Sequence, residues 1–219
     1  MGGLDGRMVL KKLAEQDYPV QVSEMDGTPV YENMKVQSLL THGSPHKGTL
    51  VADYLPSIAS LSSFIQDICE LKVDTWEIAN PALNQLNGAK FSSIGSDADW
   101  NGSGDLDSSE LANNQIPWLS LGNKLYKLLY NYDELAIDYV MVPTPSGDVF
   151  IPDVHYIGSG PNPNDTMVTI ESAHGAPGII SKVSLTGANG KNHGTIIDEQ
   201  SQNEAISQGK TVLGWGALK

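Results

Sequence analysis

Twelve residues constrain this chain more than any other stretch: Asp99-Trp100-Asn101-Gly102-Ser103-Gly104-Asp105-Leu106-Asp107-Ser108-Ser109-Glu110. Side-chain oxygens fall at loop positions 1, 3, 5, 9 and 12, on Asp99, Asn101, Ser103, Asp107 and Glu110, and Gly104 stands at position 6. This spacing lets one short loop wrap about six or seven oxygens around a hard cation such as calcium. The glycine makes the sharp turn cheaply because it lacks a Cβ. The chemistry of this segment can be named from residues alone.

The rest of the composition sets bounds. A chain of 219 residues with 40% hydrophobic content can bury a real core and is expected to form one domain, residues 1–219. It contains no run of eighteen apolar residues, so no span of a membrane is expected. Met1-Gly2-Gly3-Leu4-Asp5-Gly6-Arg7 lacks the apolar core of a secretory signal. The protein is therefore expected to stay inside, to leave by a route that needs no such signal (in a virion, for example), or to have lost its signal already. A net charge of -13, from 26 acidic and 13 basic residues, repels phosphate backbones and anionic lipids. Nucleic acid and membrane are thereby disfavoured as partners, and a divalent cation is favoured. The single cysteine, Cys69, excludes an intramolecular disulfide.

Patterning predicts the elements. A short helix is expected over Met8 to Glu15 and a strand over Tyr18 to Val22, with Asp26-Gly27 turning the chain toward Val30. Val36 to Leu40 reads as a buried strand ending at His42-Gly43-Ser44-Pro45. A helix is expected from about Ser57 to Leu71, capped by Ser57, with Ile58, Leu61, Ile65, Ile68 and Cys69 on one face. A second runs from about Pro117 to Leu135 with a Leu121, Leu125, Leu128, Leu129 and Tyr132 stripe. From Ala136 the period changes to two. Ala136 to Val142 and Val149 to Ile157 read as strands joined by a Pro/Gly/Asp turn. Met167 to Ile170, Ile179 to Leu185, Thr195 to Ile197 and Thr211 to Leu213 add shorter ones. The expected class is α+β, with helices mainly in residues 1–135 and an antiparallel sheet, sandwich or barrel-like, in residues 136–219.

The loop resembles the calcium loop of the EF-hand family, and the resemblance covers residues 99–110 alone. It implies side-chain ligation by Asp99, Asn101 and Ser103 and carbonyl ligation by Asp105. Asp107 would bind directly or through a water, and Glu110 through both carboxylate oxygens. Leu106 at position 8 matches the apolar residue that anchors such loops. Ser103 departs from the commoner Asp or Asn and lowers the ligand charge. The flanks depart too: Phe91 to Ser96 is a poor entering helix, Pro117 cuts the exit short, and no second loop of this spacing exists. A lone loop in such a setting is similar to those of dockerins and of extracellular or particle proteins, which staple structure and do not switch.

Ala173-His174-Gly175-Ala176-Pro177-Gly178 resembles the His-Gly block of legumain/caspase-type cysteine peptidases, with a weaker echo at His42-Gly43. In that family a cysteine follows on a later strand. No cysteine follows His174 here, and Cys69 sits on the apolar face of a predicted helix, so this dyad is not expected. No Gly-x-Ser-x-Gly, HExxH or phosphate-binding glycine pattern occurs, and Gly43 and Pro45 keep His42 and His46 off a shared helix face. No catalytic residue is assigned. The expected function is a calcium-stabilised structural or interaction protein that binds protein partners or itself, such as a subunit of a viral or phage particle. The alternative is a secreted or effector hydrolase with a structural calcium and His174 near its active site.

Overall fold

The computed structural model describes residues 2–51, 89–112, 119–145, 147–158, 160–176 and 178–216. The helix expected over Ser57 to Leu71, with Cys69, lies outside them. The class is α+β. Its organising element is a parallel three-stranded sheet in the order β3–β4–β7, formed by Ser38–His42, Lys90–Ser96 and Ile179–Leu185.

One face of this sheet is apolar. Ile94 and Leu185 pack with Ala205, and Leu40 and Val183 close around them. Ala205 belongs to α5 (Glu199–Gln208), which Asp198 caps by accepting the Ser201 N–H. The opposite face carries Phe91, Ser93 and Gly95 and meets α1 (Gly2–Glu15) and α4 (Ile170–Ala173). The glycines of α1 explain why the expected helix began only at Met8. They depress helix propensity, yet they allow close approach to β3. A Cβ on Gly6 would stand 2.8 Å from Leu39 Cδ1.

Two antiparallel hairpins project from this body. β1 (Pro19–Met25) and β2 (Thr28–Asn33) turn at Asp26-Gly27, where φ is +53° and +78°, the both-positive turn that matches strand twist. β5 (Glu134–Thr144) and β6 (Gly147–Ile157) pair over eleven rungs, from Glu134↔Ile157 to Thr144↔Gly147. Both were expected. Two helices, α2 (Ser108–Ala112) and α3 (Leu119–Asn131), lie between β4 and β5.

Other expectations are corrected. Strand β4 has no hydrophobic period because serines fill it. The Ser92 and Ser96 hydroxyls donate to the Ser181 and Leu185 carbonyls, and Ser93 pairs with His174, so a buried strand tolerates them. Met167 to Ile170 is not a strand: Thr169 caps α4 by accepting the Ser172 N–H. Thr195 to Ile197 lies in turns held by Asn192, and Thr211 to Leu213 continues α5 as a π-helical turn. The C-terminal strands therefore do not form one sandwich. Strand β7 crosses back to join β3 and β4, and no barrel closes among the described residues.

Candidate metal centre

The loop 99–110 leaves the C-terminal end of β4 and is gripped from three sides. The Asp97 N–H bonds the Leu185 carbonyl at 2.9 Å, and the Ala98 N–H bonds the Asn164 carbonyl at 2.8 Å. Leu106 fills a cluster with Ala98 and Tyr126, against which Tyr130 packs. The Leu106 N–H donates to Asn123 Oδ1 at 3.1 Å, and Lys127 Nζ sits 2.7 Å from Asp105 Oδ2. Asn123, Tyr126, Lys127 and Tyr130 follow the i, i+3, i+4, i+7 spacing of one helix face. That face of α3 thus clasps the loop.

The two end carboxylates are the buried ones, Asp99 at 2% and Glu110 at 3% exposure. Asp99 Oδ1 accepts the Asn101 and Gly102 N–H groups at 3.1 and 2.7 Å, and its Oδ2 accepts the Gly104 N–H at 2.6 Å. Glu110 Oε1 accepts the Trp100 N–H at 2.6 Å, and Oε2 accepts the Asp107 N–H at 2.7 Å. Asp107 Oδ1 in turn accepts the Glu110 N–H at 3.0 Å, which makes a reciprocal cap at the start of α2.

The remaining positions are linked to one another. Asn101 Oδ1 accepts the Ser103 N–H at 2.9 Å, Asn101 Nδ2 donates to Asp107 Oδ2 at 3.4 Å, and the Ser103 hydroxyl donates to the Asp105 carbonyl at 2.7 Å. Gly104 has φ +78°, and a Cβ there would stand 2.9 Å from the Tyr130 ring. Position 6 is therefore glycine for two reasons, turn and contact.

Charge in the loop is managed locally. A hydrogen bond from Lys127 holds the Asp105 carboxyl below its usual range, and hydrogen bonds from Ser109 and Glu110 do the same for Asp107. Burial raises Asp97, whose Oδ1 accepts the Tyr126 hydroxyl at 3.0 Å. Burial, then the charges of Asp97 and Asp99, raise Tyr126.

All six expected ligand positions belong to this one network. The donors are hard oxygens, which suit calcium better than zinc or iron. Among the described residues no three His, Cys, Asp or Glu side chains converge to hold an ion by themselves. The loop mixes carboxylate, amide, hydroxyl and carbonyl oxygens instead. Each carboxylate oxygen has two lone-pair sites, so one N–H bond does not exhaust it.

The histidines are dispersed over other contacts. His42 Nδ1 faces the Ile196 carbonyl at 3.3 Å. His46 Nε2 meets Thr41 Oγ1 at 3.0 Å and its ring stands edge-on to Phe91. Burial, with Arg7 nearby, pushes His46 down to about 3. His174 lies between Ser93 (Nδ1 to Oγ 2.7 Å) and Ser184 (Nε2 to Oγ 3.2 Å).

One polar pair was missed by the sequence reading. His193 Nδ1 lies 2.8 Å from Oδ2 of Asp165, a fully buried carboxylate whose Oδ1 accepts the Met167 and Val168 N–H groups. Next to Asp165 in the chain, Thr166 is held at φ +81°, a costly conformation for a β-branched residue. Only the His193-Gly194 dipeptide, a third such pair in the chain, could have drawn attention to it. No protein-family model, curated protein or solved structure matches this chain.

Proposed function

We propose that this chain is a calcium-stabilised interaction protein that assembles with further copies of itself, using the β5–β6 hairpin as its docking arm. The observation that carries this reading is the arm. Register puts Tyr139, Met141 and Phe150 on one face and Val140, Val142, Val149 and Ile151 on the other. All seven are exposed, Tyr139 by 68% and Phe150 by 65%. A ribbon of eleven-residue strands reaches roughly 35 Å. Two strands alone are marginal in water, and contiguous exposed apolar surface marks an interface. Pro143 and Pro152 lack an N–H, which discourages edge-to-edge pairing and leaves the faces to dock.

The occupant is a second copy, because this chain also carries a suitable receptor. A groove of about 600 Å³ beside β1–β2 is lined by Val20, Val22 and Met34, together with Glu32 and Lys35. Arm into groove is a head-to-tail contact, which propagates into rings or filaments. Calcium supports this role from within. Asp99, Asp105, Asp107 and Glu110 put four negative charges in twelve residues, and a bound ion would offset their repulsion and set the loop against α3.

The test uses two variants of the full chain, each broken at one surface, with light scattering to weigh the species formed. Phe150→Asp and Val22→Asp should each remain monomeric where the wild type assembles. Their mixture should form a 1:1 dimer, since one keeps an intact groove and the other an intact arm. A monomeric wild type, or a mixture that stays monomeric, would overturn the reading.

A further inference from the structure

We propose that Ser184, His174 and Ser93 form an acyl-transfer site on the β7 side of the parallel sheet, with carboxylic esters as its substrates. Ser184 is the nucleophile, His174 the general base and Ser93 a positioning residue. The inference is independent of the calcium and assembly readings.

Geometry carries it. Among the described residues strand β7 is an edge of the β3–β4–β7 sheet, and Ser184 is exposed opposite Gly95. Its hydroxyl lies 3.2 Å from His174 Nε2, while His174 Nδ1 lies 2.7 Å from the hydroxyl of Ser93, which is fully buried. A nucleophile paired with a base that a third group orients is the arrangement hydroxyl nucleophiles require. The tautomer in which Nδ1–H donates to Ser93 leaves the Nε2 lone pair on Ser184. Glycine at position 95 is what lets the ring lie there, for a Cβ would stand 3.3 Å from His174 Nε2 and 3.2 Å from Ala173 Cβ.

Two more groups complete the site. The Leu185 carbonyl accepts the Asp97 N–H on the β4 side. By strand alternation the Ser184 N–H then faces away from β4, where it can donate to a developing oxyanion. Lys182 shares the exposed face of β7 two residues away. Burial and then the Lys182 charge push His174 below its ordinary range, so its basic nitrogen is free at neutral pH.

The chemistry closes. Ser184 Oγ bonds to the ester carbonyl carbon as its proton passes to His174 Nε2. The bond to the leaving oxygen breaks, and that oxygen takes the proton, giving an alcohol and acyl-Ser184. Water then repeats the step: its proton goes to Nε2, its oxygen bonds to the acyl carbon, and Ser184 leaves reprotonated with release of the acid.

The full chain should hydrolyse p-nitrophenyl acetate and be labelled by a fluorophosphonate on the peptide holding residue 184. Ser184→Ala, at an exposed position, should keep the wild-type melting temperature while losing the label and roughly 100-fold or more of kcat/KM. Ser93→Ala should lower kcat by about tenfold and leave KM unchanged, the mark of a positioning role. Label on another residue, no label at all, or equal turnover by wild type and Ser184→Ala would overturn the proposal.

Discussion

At the scale of single residues, the Asp165–His193 pair shows how a buried charge is held. Asp165 has no exposed surface and accepts from two backbone N–H groups and one imidazole, whereas about a third of the His193 side chain faces solvent. The charge of Asp165 raises the His193 pKa above its ordinary 6.5. A base whose folded-state pKa is raised stabilises the fold fully below its unfolded value, and loses that contribution as pH rises through the raised value. Asp165→Asn should remove this effect. The stability difference between wild type and variant, from denaturant midpoints, should therefore be largest below about pH 6.5 and shrink as pH rises further. A difference that is flat with pH would show that the pair contributes no linked proton. His46, pushed down to about 3 by burial, acts with the opposite sign, losing stability as pH falls, but it does so equally in both proteins.

At the scale of elements, α3 and the loop 99–110 are one device. An apolar stripe was legible from leucine and tyrosine spacing, and it places Leu125, Leu128 and Leu129 in the core. The polar side of the same helix was not legible as a clasp. Asn123 and Lys127 look like ordinary surface residues until the loop is folded against them. Asn123→Ala would strand the Leu106 N–H and is expected to cost about 1 kcal/mol. Thermal melts would read that loss, and a loop that relaxes onto water would show no change. Strand β4 makes the converse point. Its serines carry no strand signal, because their partners are carbonyls and a histidine supplied by distant segments.

At the scale of the whole molecule, the loop and the arm are mechanically joined. The loop is clasped by α3, and the end of α3 meets the base of the arm. Tyr132 and Tyr156 lie with ring centroids 5.1 Å apart, and the Asp133 N–H donates to the Ile157 carbonyl at 2.8 Å. Calcium at 100 times its dissociation constant would add about 2.7 kcal/mol to stability. Chelation should therefore lower the melting midpoint by roughly 5 to 11 °C. It should also speed amide exchange at the base of β5 and β6 as well as in the loop. An unchanged midpoint with and without chelator would count against the metal reading. Among the described residues no helix is long and apolar enough to cross a membrane.

What the sequence determined by itself is local. The spacing of oxygens and glycine within twelve residues, the turn at Asp26-Gly27 and the period-two arm are all set by backbone geometry over short separations, so residue order reveals them. The tertiary structure alone decided the rest. Strand β7 pairs in parallel with β4 across more than eighty residues, and the same crossing brings Ser184 to a histidine whose other nitrogen is held by Ser93, 81 positions away. Contacts of that length leave no periodic trace, because closing them depends on the packing of every intervening element.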